Sequence, residues 1–239
     1  MDNLMPQHVI AEEEHLLKDN RLAIIPEVLK IEPLKGVILE LCAGSCWFTA
    51  ELSKIPAINE VYALDMSERA LEQVAPRVFK SAGAMENKIT RVIGDLYAFE
   101  FPQATFDYVV FDAGLHHIDT PKFSHVMKKI AYVLKPGGKL LGIREPFLTP
   151  IPFLSGYRRT NWGKYERSFG ITENIYTKHE WRVLFTSAGF SPRFYRQATK
   201  TNTAKSLKEK VKLLVRNSAL GFVFNFLFPP EQIIIAEKN

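Results

Sequence analysis

Between Glu40 and Thr49 the chain reads Glu-Leu-Cys-Ala-Gly-Ser-Cys-Trp-Phe-Thr, an acid followed by a run of small residues. Small side chains at Cys42, Ala43, Gly44 and Cys46 let a ligand come close to the main chain, and a helix starting here would offer it free N–H groups. Asp65 closes a second apolar run. A carboxylate there can accept hydrogen bonds from both hydroxyls of a ribose, so the two segments together describe a site for a nucleotide-like ligand. His116 and His117 come just past a fourth apolar run, Tyr108 to Phe111. A histidine titrates near neutral pH and can take a proton from a reacting group; His117 is the first choice and His116 the second. Glu145 with Arg144 ends a fifth run and suits the orientation of a polar acceptor. Each feature has a plainer reading: a helix cap or surface charge for Glu40 and Asp65, a loop hydrogen bond for the histidines, an ion pair for Arg144 and Glu145, and small buried hydrophobes for the cysteines.

These residues are useful only if one framework brings them to one edge. From Gly36 onward short apolar runs alternate with helical patterns, which predicts βαβ units and a parallel sheet. Strands are expected at Val37–Leu41, Glu60–Leu64, Ile89–Ile93, Tyr108–Phe111 and Lys139–Ile143, and helices at Phe48–Lys54, Glu68–Ala82 and Pro121–Leu134. Runs such as Tyr-Val-Val-Phe are continuously apolar, as strands covered by helices on both faces should be. The tetrad Lys135-Pro136-Gly137-Gly138 reads as a helix stop and a turn. The fold expected is a doubly wound α/β domain with a mostly parallel seven-stranded sheet and an antiparallel last strand. One domain spans 1–239: a helical cap over 1–33, a core over 34–145, an aromatic lid or acceptor loop over 146–175, and a basic amphipathic and apolar insertion over 199–231. A helix from Lys178 to Ala188 and strands at Arg193–Gln197 and Gln232–Glu237 complete it.

In this order the segments resemble the class I, Rossmann-like S-adenosylmethionine-dependent methyltransferases. The resemblance covers roughly Leu34 to Glu145 and, more loosely, Tyr176 to Phe190. It implies S-adenosyl-L-methionine as cofactor, with Glu40 supporting its methionine end, the turn of Cys42, Ala43, Gly44 and Cys46 against it, Asp65 on the ribose and Met66 beside the adenine. Gly94, Asp95 and Leu96 look like the family's adenine-contacting turn. Asp112 and Ala113 begin the segment that closes on the cofactor near the methyl group. His117, His116 and Glu145 then stand on the acceptor side. Where the family has three glycines in the first turn, this chain keeps only Gly44, and the Cβ atoms of Cys42 and Cys46 restrict positive φ. The sulfonium methyl is already activated, so the protein has to align an acceptor, exclude water and receive a proton.

Base-modifying amino methyltransferases commonly carry an Asn/Asp-Pro-Pro-aromatic loop after the fourth strand, whereas this chain has Asp112-Ala113-Gly114-Leu115. No nucleic acid is therefore expected, and a small-molecule, sugar or lipid-like acceptor methylated on oxygen is. The charge agrees: the chain's net charge is +5, and residues 200–216 carry six basic residues against one acid, so the excess is one local patch. Ala204, Leu207, Val211, Leu214 and Val215 share a helical face opposite lysines, followed by the apolar run 220–228. An anionic membrane surface, a lipid-linked acceptor, the sheet itself and a second subunit, as in a homodimer, remain open as partners of 204–230. Two cysteines four positions apart argue against a disulfide framework, and their neighbours supply no further ligands, so no metal is expected. The amino terminus lacks a secretion pattern, giving a cytoplasmic expectation. The rival readings are a non-catalytic binding or partner protein that keeps the cofactor fold, and an NAD(P)-dependent oxidoreductase, which lacks its Gly-x-Gly-x-x-Gly loop here.

Overall fold

The computed structural model describes residues 24–168, 170–196, 218, 223, 225–226, 229–230 and 232–239. The first part of the expected cap, the expected basic helix over 204–219 apart from residue 218, and most of the apolar run after it lie outside the described residues.

Helix α1 (Ile25–Ile31) leads into strand β1 (Gly36–Leu41), helix α2 (Trp47–Ser53) and strand β2 (Ile58–Asp65). A π-type turn (Ala70–Val74) runs into α3 (Ala75–Ala82), and β3 (Ile89–Ile93) and β4 (Phe106–Asp112) follow. Next come α4 (Phe123–Val133), β5 (Leu134–Glu145), the short β6 (Phe147–Leu148), and helices α5 (Pro152–Asn161) and α6 (Lys164–Ser168). The chain ends with β7 (Tyr176–Thr177), α7 (Lys178–Ser187), β8 (Phe190–Arg196) and β9 (Gln232–Lys238).

The main sheet has seven strands in the order β3-β2-β1-β4-β5-β9-β8. The first five are parallel, and β9 runs antiparallel to both β5 and β8. The order reverses between β1 and β4, so the loops after these two strands part at the carboxyl edge and leave a crevice there, the usual ligand position in open α/β sheets. Apolar side chains alternate between two packed layers. Leu39, Leu41, Val109 and Phe111 join the layer under α4 and α7, while Ile38, Val110, Leu141 and Ile143 join the layer under α1 and α2. Both faces of β1 and β4 are therefore dry, and burying a single large aliphatic side chain there contributes about 1.5–3 kcal/mol.

Two expectations need correction. The Lys135–Gly138 tetrad ends α4 but forms no free turn. It lies inside β5, where the register slips between Phe106 and Tyr108 on the neighbouring strand and Gly137 takes a φ of 76°. The extra residues are absorbed as a bulge, and β5 is longer than Lys139–Ile143. The 146–175 connection is not loop throughout: it folds into α5 and α6, and β6 and β7 pair with each other at its ends. The Thr177–Glu180 pair forms a full capping box at the start of α7.

Candidate functional site

The turn after β1 takes the path its sequence seemed to resist. Cys42, Gly44 and Cys46 all have left-handed φ, at 58°, 52° and 63°. Such a backbone costs a non-glycine residue roughly 1–2 kcal/mol, so the surrounding contacts must hold it. They are present. Ala43 N–H donates to Leu64 O (3.1 Å), Cys46 N–H to Ala43 O (2.8 Å), and Gly44 N–H to Asp65 Oδ2 (2.8 Å). Asp65 Oδ1 accepts from Ser67 N–H at 2.9 Å. The carboxylate at the end of β2 and the turn after β1 thus meet. Each carboxylate oxygen can accept a second hydrogen bond, so Asp65 keeps capacity for a diol. A Cβ on Gly44 would meet nothing within 4 Å, so open space lies over the turn.

Beneath the turn, Glu40 is 1% exposed and accepts a hydrogen bond from Thr49 Oγ1 on α2. Burial pushes its pKa up to about 8, with Asp112 and Asp65 raising it further while the Thr49 bond and Arg144 oppose the rise. Asp112 is paired with Arg144, whose Nε lies 2.6 Å from Asp112 Oδ1 and whose Nη2 bonds Oδ2. Three carboxyl groups and one guanidinium surround the turn, a set with room for a cation. The cysteines take no part in this chemistry. Burial above all raises both thiol pKa values, keeping them protonated.

The remaining positions on the cofactor side lie around the same edge. Met66 is exposed beyond Asp65, and Gly94 N–H donates to Asp65 O at 2.9 Å, which brings the turn after β3 against the end of β2. Asp95 Oδ1 accepts from Tyr97 N–H (2.8 Å), and Leu96 packs on the main core. Ala113, at φ 55°, donates its N–H to Ile143 O at 2.7 Å and turns the chain out of β4.

The turn after β4 is held differently. Glu145 is fully buried and its oxygens point inward. Oε1 accepts from Gly114 N–H (3.1 Å) and Leu115 N–H (3.0 Å), while Oε2 accepts from His116 N–H (3.2 Å) and lies 2.8 Å from His116 Nδ1. Three successive backbone N–H groups form an anion-binding nest, and the anion is the protein's own. Glu145 is therefore a positioning residue, not one that meets an acceptor. Arg144 turns to Asp112, contrary to the expected Arg144–Glu145 pair. The left-handed φ of Arg144, 58°, sits in the stretch where the β5–β9 register slips, between Gly142 and Glu145, which sends the two neighbours to different partners.

His116 is buried, and His117 is partly exposed. Their rings lie 4.2 Å apart. His117 Nδ1 is 2.8 Å from Thr172 O and 3.3 Å from Glu173 Oε1, and His116 Nε2 is 3.7 Å from Glu173 Oε2. Burial, then the neighbouring His116, lowers the pKa of His117. The segment before β7 supplies these partners: Asn174 donates from N and Nδ2 to His116 O (3.0 and 3.1 Å), and Thr172 Oγ1 donates to Asp119 (2.6 Å). Nothing in the local sequence singles out Thr172, Glu173 and Asn174 within a connection expected to be an aromatic lid or acceptor loop. Thr49 was likewise missed, although its place two residues inside α2, over a strand-end acid, marks it as that acid's donor.

Within the 146–175 segment, Trp162 Nε1 donates to Glu173 Oε2 (3.0 Å), Arg158 donates to Phe147 O (3.3 Å) and Arg159 Nη2 donates to both carboxylate oxygens of Glu180 at 2.9 Å. The two arginines thus serve the loop itself. Phe153 and Tyr157, one turn apart on α5, are 84% and 70% exposed. Among the described residues no helix is long and apolar enough to cross a membrane.

Comparison with known proteins agrees with this geometry. A family model described as a methyltransferase domain matches residues 38–138. A demethylmenaquinone methyltransferase of Anoxybacillus flavithermus is 30% identical over 141 residues, 59% of this chain and 56% of the relative. One from a Geobacillus species is 33% identical over 122 residues, 51% of this chain and 48% of the relative. The chain thus spans about half the length of the curated relatives it matches. In fold, it superposes on a chain of a methyltransferase–activator complex from Haloferax volcanii with a TM-score of 0.68 at 16% identity, covering 95% of this chain and 94% of that one. It also superposes on human N-acetylserotonin methyltransferase, solved with S-adenosylmethionine, with a TM-score of 0.52 at 20% identity over 85% of this chain and 47% of that one.

Proposed function

We propose that this chain, whose residues 38–138 are a methyltransferase domain set in the class I methyltransferase fold, binds S-adenosyl-L-methionine across the Cys42–Cys46 turn and transfers its methyl group to a small molecule at the adjoining β4 turn. The observation that carries this reading is the charge of the crevice. Glu40, Asp65 and Asp112 surround one small-residue turn, with Arg144 engaged by Asp112. In the ligand-free protein Glu40 holds a proton and Asp112 is paired with Arg144, so Asp65 carries the uncompensated charge. An ammonium beside Glu40 favours its ionised form, whereas the pyrophosphate of a nicotinamide dinucleotide would keep it protonated and meet Asp65 unscreened.

In this reading Asp65 accepts the ribose hydroxyls, Met66 lies along the adenine, and the Gly94–Leu96 turn borders it. Glu40 takes the methionine amino group and Ala43 and Gly44 give backbone N–H groups to the methionine end. Asp112 and Ala113 close the crevice near the methyl group. The cofactor supplies an activated methyl. The chain's own residues orient it, exclude water beneath the 172–174 segment and receive the acceptor's proton. His117 is the side chain placed for that last step, because it is partly exposed while His116 is held on Glu145.

For the acceptor, an oxygen on a small aromatic or lipid-like molecule of quinol or phenol type is favoured. The Anoxybacillus and Geobacillus relatives are named for a quinone, which supports the ring and not the atom methylated, and α5, within the connection that leads to the segment covering His116, exposes Phe153 and Tyr157. Oxygen is favoured because His117 can take a hydroxyl proton. Calorimetric titration with S-adenosylmethionine and with NADH tests the cofactor. Incubation with methyl-labelled cofactor and a panel of quinols, phenols and sugars, read by mass spectrometry, tests the acceptor. Affinity for the sulfonium cofactor alone, and label on a hydroxyl oxygen of an aromatic acceptor, are expected. A folded sample that binds NADH, or neither ligand, overturns the assignment.

A further inference from the structure

Beyond the cofactor crevice, the structure brings together three side chains whose chemistry is that of metal ligands. We propose that His116, His117 and Glu173 form a binding site for one divalent transition-metal ion of the zinc type, with an open position for an oxygen ligand. One ligand atom from each residue lies within 4.8 Å of the other two. The contacts of Glu173 with His116 Nε2 (3.7 Å) and His117 Nδ1 (3.3 Å) are long for hydrogen bonds. Two ligands bound at about 2.0–2.1 Å to one tetrahedral ion stand about 3.3–3.5 Å apart. The His117 contact has that length, and the His116 contact, to the other carboxylate oxygen, is slightly longer.

The shell behind these residues supports the assignment. A ligating histidine usually gives its other ring nitrogen to a carboxylate, which fixes the tautomer and aims the ring. His116 has that arrangement: Nδ1 is 2.8 Å from Glu145 Oε2, which leaves Nε2 turned to Glu173. Glu173 is steadied by the Trp162 indole N–H at 3.0 Å. The side chains of His116 and Glu173 are each 8% exposed, and that of His117 32%, so two ligands are shielded and the third opens outward. An ion held through Nδ1 of His117 replaces the contact with Thr172 O, and one held through Nε2 retains it.

Two imidazoles and one carboxylate leave one position of a tetrahedral ion vacant, as in catalytic rather than structural zinc sites. That position takes a hydroxyl or carbonyl oxygen and lowers the pKa of a bound hydroxyl. The site stands on the chain's own residues, independent of the cofactor reading. It replaces the base role of His117 when the ion is present, since a lone pair engaged with the ion takes no proton.

The test uses the full chain, free of an affinity tag and stripped with chelator. Zinc titration by calorimetry is expected to show one equivalent per chain. Glu173→Gln, which retains an acceptor for Trp162, and His117→Ala are each expected to weaken zinc about 100-fold, while His125→Ala, on the outer face of α4, leaves it unchanged. X-ray absorption of the zinc-loaded native chain reads the ligand set without relying on a variant's folding; two imidazoles and one carboxylate are expected. The proposal is overturned if the native chain takes up no zinc, if zinc affinity survives both substitutions, or if the absorption data show thiolate or fewer than two imidazole ligands.

Discussion

The turns after β1 and β4 lie side by side at the carboxyl edge, and both aim backbone N–H groups at a carboxylate, yet they are finished in opposite ways. At Gly114–His116 the carboxylate is Glu145, buried, with both oxygens used up by the protein. At Cys42–Cys46 it is Asp65, which accepts one backbone N–H on each oxygen and faces open space over Gly44. The first turn is closed by its own anion and serves as a wall. The second is left incomplete, which is how a binding site differs from a structural one built from the same parts.

Breaking the closed turn should have the largest effect. Glu145→Ala strands three buried N–H groups and removes the partner of His116, at about 1–3 kcal/mol for each unpaired group, so a loss of about 5 kcal/mol in chemical denaturation is expected. Near-native stability would show that water replaces the carboxylate and that the nest is not what shapes the turn.

Glu40 tests the open side through pH. Its folded pKa, pushed up to about 8 from 4.5, means that the folded ligand-free protein holds a proton that the unfolded chain releases. The stabilisation is fully present below the unfolded value and is lost as pH rises through the folded one. Between pH 5 and pH 8 the native protein should lose about 3 kcal/mol relative to Glu40→Gln, whose amide does not titrate. Denaturation curves for the two proteins that run parallel across this range would place the charged form of Glu40 comfortably in the fold. Asp65→Ala then removes the acceptor of the Gly44 and Ser67 N–H groups and, in the proposed complex, of the ribose, so S-adenosylmethionine affinity should fall about 100-fold by calorimetry, equivalent to ~3 kcal/mol.

The same contrast explains what could be read from the sequence. The open side is assembled from strand ends that are each followed at once by their functional residues, so Glu40, the small-residue turn and Asp65 were legible as apolar run plus turn plus acid. The parallel sheet needed no more than that alternation. The closed side depends on contacts between distant segments. Glu145 had the right residue type and strand end for an acceptor contact, but the slipped register around Arg144 turns it inward, and a bulge leaves no local mark in so short a run. Glu173 reaches His116 and His117 across more than fifty residues, and nothing in the neighbouring sequence announces that pairing. The left-handed cysteines were legible as a difficulty but not as its solution, because the backbone bonds that compensate them come from β2 and from the turn itself.

The smallest expected effect tests whether the two turns are independent. A Cβ placed on Gly114 would sit 3.1 Å from Cys42 Cβ and 3.2 Å from Phe111 Cδ1, so the closed turn and the open one touch at that point. Gly114 has φ −126°, which alanine adopts without strain, so Gly114→Ala should cost only the crowding, about 1 kcal/mol. Cys42→Gly removes the facing Cβ and relieves a left-handed backbone at φ 58°, while losing a small buried side chain and gaining chain entropy when unfolded, so alone it should be nearly neutral. In the Cys42→Gly background, Gly114→Ala should cost about half as much as in the native chain, a coupling of about 0.5 kcal/mol in a double-mutant cycle. Strict additivity would mean that Phe111 alone sets the spacing and that the two turns share an edge without sharing a contact.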